Sequence, residues 1–304
     1  MAESNYKAEL KERVLENQFI YCARRDFKVA EMLNANTTDS SKRIDRCNII
    51  FHLEQSTEKL NKFLFLVLFP VFGKITNDDN LKINNILEKF KSKKIGHNQA
   101  KLFLELIFNT KKVMSGFGIT DPNKFSKMLF AEVGIDFPDI EKINDKQIKI
   151  LSEKMNQIAS MSKKKINKQL DNADKLVNKL RMPSKEKMDI LAVTNKIESS
   201  INQEAKELIE EDTKNREKKF NISKDEMYNE TFNLLWPLIE RFPRLVSYGL
   251  VLSPHESSTR YPDGLIPVQE YDLGEAPISG IYILRRMIAG LKEFFDEIDK
   301  ISRS

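Results

Sequence analysis

The sequence contains little glycine, proline or cysteine, and each shortage narrows the range of possible folds. Among 304 residues there are ten glycines, ten prolines and two cysteines. Glycine and proline mark the turns between short elements, so long stretches rich in Lys, Leu, Ile and Glu predict a mostly helical protein. Cys22 and Cys47 are too few for a disulfide framework or a metal-binding cluster. We therefore predict reduced thiols, a reducing compartment and no metal.

The sequence also lacks a hydrophobic run of membrane length. The longest apolar run, FLFLVLFPVF at residues 63–72, is about half of the roughly 20 residues that a membrane span requires, and Pro70 interrupts it. The first fifteen residues mix acids and bases around no apolar core, unlike a secretory signal. These features predict a cytoplasmic protein that does not associate with membranes.

Positive charge is in small excess, and the common enzyme sequence motifs are missing. Lys and Arg number 50 against 45 Asp and Glu, with a calculated pI near 8.9, which weakly favours an anionic partner. No Gly-rich phosphate loop, HExxH, CxxC or nucleophile elbow occurs. A histidine-based site has only His52, His97 and His255 to use.

The most informative stretch present is residues 46–72. Apolar residues recur there at spacings of three and four and predict one long helix: Ile49, Ile50, Leu53, Leu60, Leu64 and Val67. A polar stripe follows the same rhythm on another side: His52, Gln55, Lys59 and Lys62. Glu54 and Glu58 are predicted to form a separate, solvent-exposed row. Pro70 and Gly73 are predicted to end the helix.

Further helices are predicted on both sides of this one. They cover residues 3–34 with a break near Gln18, residues 80–91, the apolar segment after a basic turn at 91–99, and residues 279–301. Asp39 or Ser40 is a predicted N-cap for the long helix. Residues 253–277, which hold four prolines, are predicted to be an ordered loop without regular structure.

Between about residues 125 and 220 the composition becomes more polar. Sparse apolar residues at helical, loosely heptad-like spacing predict a long helical hairpin that turns at Pro183. Its basic run predicts either a solvated face or a phosphate-binding one: Lys163, Lys164, Lys165 and Lys168. The predicted fold is all-α, an antiparallel helical bundle built from residues 1–120 and 226–304 with a Lys-rich hairpin inserted at 121–225.

Four segments in chain order resemble the HEPN family of small helical bundles. They are RRDFKVAEMLN (24–34), FHLEQSTEKLNKFL (51–64), GHNQAKLFLEL (96–106) and TRYPDG (259–264). The family pattern combines an A-E-x-L segment, a helix with F-H-x-x-Q-x-x-E-K-x-x-K, an H-x-L-type turn and an R-Y-P-D loop. The matching positions are Phe51, His52, Gln55, Glu58, Lys59, Lys62, His97, Arg260, Tyr261, Pro262 and Asp263. The resemblance covers about residues 19–110 and 230–300, and the hairpin lies outside it.

The resemblance implies a bundle that binds nucleotides or RNA without a cofactor. It also implies a homodimer that acts with a partner, such as a nucleotidyltransferase-type protein, in stress response, defence or a toxin–antitoxin pair. The implied nucleotide or RNA contacts are Gln55, Lys59, Lys62, Arg260 and Tyr261. The three polar residues of the helix either line a nucleotide pocket or satisfy neighbouring helices, and Arg260 and Tyr261 either contact the ligand or hold the Pro-rich loop on the bundle.

Some branches of the family are metal-independent endoribonucleases with an R-x4-6-H motif, and this makes an enzyme a second possibility. Arg46 and His52 have that spacing, but six helical residues turn by about 600°, so their side chains point about 120° apart. Lys91 and His97 have the same spacing with Lys in place of Arg. His52 or His97 would move the proton of an RNA 2′-hydroxyl. A third possibility is a non-catalytic helical scaffold whose basic hairpin recruits an acidic partner.

Overall fold

The computed structural model describes residues 5–35, 45–75, 83–91, 100–105, 144–181, 203–255, 259 and 266–303. Within these ranges the chain forms helices and no strand, which confirms the predicted all-α helical bundle. The helices are α1 (Asn5–Leu15), α2 (Gln18–Ala35), α3 (Arg46–Ile75), α4 (Ile83–Lys91), α5 (Asp145–Ala159), α6 (Lys163–Leu180), α7 (Gln203–Phe220), α8 (Lys224–Ile239), α9 (Phe242–Leu252), α10 (Val268–Leu273) and α11 (Ile281–Arg303). Residues 100–105 are also helical. No helix in the described ranges is both long and apolar enough to cross a bilayer.

Helix α3 lies at the centre of the bundle, in contact with α2, α7, α9 and α11. Most of its predicted apolar positions are fully buried, as expected. The prediction that Glu54 and Glu58 form an exposed row was wrong, because each is only 1% exposed. A helix surrounded by other helices buries its polar side as well as its apolar one. Glu58 pairs with Lys62 on the next turn, and Glu54 Oε2 accepts a hydrogen bond from Gln55 Nε2 at 2.7 Å.

Both ends of α3 differ from the prediction. Asp45 caps its start, since its Oδ1 accepts the backbone N–H of Asn48 at 3.1 Å. Asp39 and Ser40, the predicted caps, lie outside the described residues. The helix also continues through Pro70 and Gly73 to Ile75. Proline removes one hydrogen bond, and in a helix of 30 residues the many other bonds outweigh that local penalty.

The flanking helices agree with the prediction more closely. The break near Gln18 is confirmed, because α1 ends at Leu15 and α2 begins at Gln18. Asn17 Oδ1 accepts the N–H of Phe19 at 2.9 Å and thereby caps α2. The final helix is confirmed as α11. The Pro-rich segment was predicted to lack regular structure, yet it contains α10, which follows Pro267. Gly274, with a left-handed φ of 78°, caps the end of this helix.

Helices α5 and α6, from the segment predicted as an inserted hairpin, contribute to the same apolar core as α3 and α11. They bury Leu151, Met155, Ile158, Ile166 and Leu170 in it. Ion pairs add to the packing: Arg244 on α9 contacts Asp174 of α6 and Glu293 of α11, each at 2.7 Å. The four lysines of the basic run are exposed. The predicted turn at Pro183 lies outside the described residues.

Candidate functional site

Part of the polar stripe of α3 meets a single carboxylate on α2. Lys59 Nζ donates to Asp26 Oδ2 at 2.5 Å and to Gln55 Oε1 at 3.3 Å. His52 Nδ1 is buried and lies 3.5 Å from Asp26 Oδ1, a close approach without a hydrogen bond among the described residues. His52, Gln55 and Lys59 reach the same neighbour because spacings of three and four place them on one side of α3. We call these four residues the Asp26 cluster.

The Asp26 cluster lies at the edge of the bundle. The side chains of His52 and Lys59 are 22% and 20% exposed, whereas that of Asp26 is 11% exposed. Gln55 is buried. A dissolved molecule can therefore reach the imidazole and the ammonium group, while the carboxylate lies behind them.

Asp26 is ionised at neutral pH. Burial alone would raise the pKa of its carboxyl group, but the nearby imidazole of His52 and the hydrogen-bonded ammonium group of Lys59 outweigh burial and lower that pKa below its ordinary value. An ionised carboxylate beside Nδ1 favours the imidazole tautomer that carries its proton there, which leaves Nε2 as an acceptor. The ring of Phe51 contacts that of His52 edge-on, with centroids 5.0 Å apart. The arrangement suits hydrogen bonding to a polar ligand or proton exchange with it.

Lys62, the fourth residue of the predicted stripe, does not belong to the Asp26 cluster. Its ammonium group pairs with Glu58 on the same helix and lies 5.8 Å from the ring centroid of Phe90 on α4. The side chain is 7% exposed. Lys62 therefore faces the interior between α3 and α4.

Arg46 contacts a different part of the molecule from His52. Its Nη1 donates to the carbonyl oxygen of Asp272 at 2.6 Å, and its guanidinium group packs over Gly274. The φ of 78° at Gly274 favours glycine, and a Cβ there would lie 2.7 Å from that nitrogen, so the guanidinium group would have to shift. Arg46 fastens the end of α10 to the start of α3, whereas His52 faces α2. The structure does not bring the predicted Arg–His pair to a common neighbour.

The remaining predicted site residues, His97, Arg260 and Tyr261, lie outside the described residues. The residue before Arg260 is described. Thr259 accepts a hydrogen bond at its carbonyl oxygen from Cys47 Sγ, at 3.6 Å. The TRYPDG segment therefore begins beside the N-terminal end of α3, close to Arg46.

His255, the third histidine, is a buried residue of the core. Its Nδ1 lies 2.8 Å from the hydroxyl oxygen of Tyr271. Burial lowers its pKa to about 4, so the ring is neutral at physiological pH. Within the described part of the chain its Nε2 has no hydrogen-bond partner. It is only 1% exposed, and its ring contacts α10.

Sequence reasoning missed Asp26, the residue around which the cluster forms. A signal was present in the helical pattern of α2. Asp26 lies among the buried positions Ala23, Phe27 and Ala30, and an acid on the apolar side of a helix requires a polar partner from a neighbouring element. The pattern did not indicate which helix supplies that partner.

The part of the chain that the structure describes contains no group of three or more His, Cys, Asp or Glu side chains placed to hold a metal ion. The Asp26 cluster itself presents imidazole, carboxylate, amide and ammonium groups. No known protein family, curated protein or solved structure matches this chain.

Proposed function

We propose that this protein binds a nucleotide or RNA at the Asp26 cluster. The observation that carries the proposal is the convergence of His52, Gln55 and Lys59 on the carboxylate of Asp26 at a partly exposed edge. The ammonium group of Lys59 can donate to a phosphate oxygen, and His52 Nε2 can accept from a ribose hydroxyl. Nucleotides present both kinds of group within a short distance, so the mixed polarity suits them better than it suits a purely anionic ligand.

The resemblance to HEPN bundles supports the same function. The three α3 residues of the cluster are part of the F-H-x-x-Q-x-x-E-K-x-x-K pattern in the sequence. The resemblance adds to the proposal a homodimer and a nucleotidyltransferase-type protein partner in stress response or defence.

A binding titration tests the proposal. Labelled ATP, GTP and single-stranded RNA are each titrated with the full chain at low salt. We expect His52→Gln and Lys59→Gln to weaken binding about tenfold, the loss of one charge-assisted hydrogen bond. Lys163→Gln removes an exposed lysine from α6 and should bind as wild type does. Absence of wild-type binding to all three ligands contradicts the proposal.

The contact between His52 and Asp26 favours a second candidate function, metal-independent RNA cleavage. In its neutral form the imidazole of His52 can accept the proton of a ribose 2′-hydroxyl as that oxygen bonds to phosphorus, while the bond from phosphorus to the 5′-oxygen breaks and the 5′-oxygen takes a proton from water. The ammonium group of Lys59 can stabilise charge on the phosphate. Cleavage in the presence of EDTA that is lost in His52→Ala would support this function. Equal background cleavage by the wild type, His52→Ala and His97→Ala would rule it out and leave the binding function in place.

A further inference from the structure

One face of α2 presents four exposed side chains in a row, Tyr21, Arg25, Lys28 and Met32, which we call the α2 stripe. Spacings of four, three and four place them on a single side of the helix. Tyr21 and Met32 are 69% and 68% exposed, high values for large side chains of low polarity. At 1.5 Å per residue, the row extends over about 16 Å.

The two cations of the α2 stripe have no acidic partner among the described residues. Their neighbour on the same helix, Arg24, pairs with Asp299 at 2.8 Å, and Lys59 of the cluster pairs with Asp26. The pairing in the cluster neutralises much of its own charge. Arg25 and Lys28 are therefore the nearest cations along α2 whose charge is available to an anion.

The α2 stripe lies on the exposed side of α2, and Asp26 lies at the edge of the buried side. Arg25 directly precedes Asp26, and consecutive helical residues point about 100° apart. Cys22 and Val29, both half-buried, occupy the helix surface between the stripe and Asp26. A ligand that extends beyond the cluster across this surface reaches the stripe.

We propose that the α2 stripe binds single-stranded RNA and leads it to the Asp26 cluster. Tyr21 stacks on a base, and Arg25 and Lys28 contact the phosphates of adjacent nucleotides. An exposed aromatic ring beside cations is the usual combination for single strands, because every base has a face that can stack. The inference rests on the proposed function. It specifies that the ligand is an RNA strand and that this strand also contacts the α2 stripe.

Shape and charge distinguish this occupant from others. The α2 stripe lies opposite the buried side of the helix and forms a convex ridge, so it has no groove for the apolar side chains of a bound peptide helix. A second copy of the chain docked ridge to ridge would place Arg25 and Lys28 against the same cations. Duplex RNA keeps its bases stacked and hides them from Tyr21.

Fluorescence anisotropy with a labelled 12-nucleotide oligouridylate tests the inference on the full chain. We expect Arg25→Gln/Lys28→Gln to weaken binding at least tenfold. The slope of log affinity against log salt should fall by about 1.4, because each phosphate contact with a single strand contributes about 0.7. Tyr21→Ala should weaken binding about tenfold and Tyr21→Phe should restore it, since phenylalanine also stacks. Lys146→Gln/Lys149→Gln removes two exposed lysines at the same spacing on α5 and should leave affinity unchanged.

The outcomes separate this inference from the proposed function. If ATP binds and is lost in Lys59→Gln, but oligouridylate does not bind or is unaffected by the α2 stripe variants, the inference fails and the proposed function stands. If neither ATP nor oligouridylate binds, both fail. Equal weakening in the α5 control, or duplex RNA or a poly-glutamate peptide binding as tightly as oligouridylate, would also overturn the inference. Circular dichroism of each variant confirms that the fold is intact.

Discussion

At the scale of single residues, the Asp26 carboxylate organises the candidate site. This carboxylate, on α2, lies close to both Lys59 and His52 of α3. Its lowered pKa keeps it charged at neutral pH. Because the carboxylate is mostly buried, its contacts with Lys59 and His52 must replace the water that it lost. The site and the contact between the two helices therefore depend on the same group.

Asp26→Asn tests this dependence. We expect the free energy of unfolding to fall by about 1–3 kcal/mol, the range for a hydrogen bond to a charged group in a partly buried setting. Asp26 has a lowered pKa in the folded state, so its contribution is present above the ordinary value of 3.8 and is lost as pH falls through the folded value. Urea unfolding at pH 7 and pH 3 measures both effects, and the difference from wild type should shrink at pH 3.

Asp299→Asn is the matched control for that substitution. Asp299 accepts two hydrogen bonds from Arg24, but its side chain is 41% exposed. Exposed ion pairs contribute about 0–1 kcal/mol, so this variant should lose less stability than Asp26→Asn. Equal losses in the two variants would show that Asp26 has no special role.

At the scale of elements, α9 and α11 are in close contact at Gly290. A Cβ at this position would overlap the hydroxyl oxygen of Tyr248 and lie 2.8 Å from Arg244 Cδ, both on α9. Tyr248 is 1% exposed and Arg244 joins two further helices through ion pairs, so neither can move aside freely. The absent side chain sets the distance between the two helices.

Gly290→Ala should therefore destabilise the protein, although alanine normally favours a helix by about 1 kcal/mol over glycine. Forcing a methyl group into this close contact costs about 1–3 kcal/mol of folding free energy, which is more than alanine gains from its helix propensity. The matched control is Gly280→Ala, where φ is −57° and the nearest atoms to a Cβ are 3.7 Å away. Thermal unfolding of the two variants should show a lower melting temperature for Gly290→Ala alone. A stabilised Gly290→Ala variant would contradict the close approach.

At the scale of the whole molecule, buried polar groups join distant parts of the chain. His255, which follows α9, contacts Tyr271 of α10. Arg46 and Cys47, at the start of α3, contact Asp272 of the same short helix. The thiol pKa of Cys47 is raised to about 11 by burial and by the nearby carboxylates of Asp272 and Asp45, so the sulfur stays protonated. The C-terminal segments are thereby fixed to the central helix.

The stability of the whole fold should depend on the protonation of His255. Its pKa is about 4 in the folded protein against an ordinary 6.5, so the folded state binds fewer protons between these values. Stability is complete above pH 6.5 and is lost as pH falls toward 4, by about 3 kcal/mol for a difference of this size. Urea unfolding at pH 7, 6, 5 and 4 measures the loss.

Two variants assign that pH dependence to its source. His255→Gln keeps an acceptor for Tyr271 but does not titrate, so its curve should be flatter than that of wild type between pH 4 and 6.5. Tyr271→Phe removes the hydroxyl that contacts His255 but keeps the titrating imidazole, so a pH-dependent slope should remain in this variant. An unchanged slope in His255→Gln would assign the dependence to other groups.

The sequence predicted the elements better than it predicted their surroundings. The spacing of apolar residues located α3 and α11, and the break between α1 and α2, because helical periodicity is a local property. The same periodicity cannot report how many neighbours surround a helix, and therefore Glu54 and Glu58 were predicted to be exposed. Pro70 was predicted to end α3 because the helix propensity of one residue does not include the stabilisation that the rest of a long helix provides.

The sequence by itself determined the helical class, the core positions of the long helices and the polar side of α3 that bears His52, Gln55 and Lys59. Only the tertiary structure decided that Asp26 completes the cluster, that Lys62 faces the interior, and that Arg46 and His52 contact different elements. The reason is physical: periodicity fixes which residues of one helix share a side, whereas the partner of that side depends on how separate helices pack.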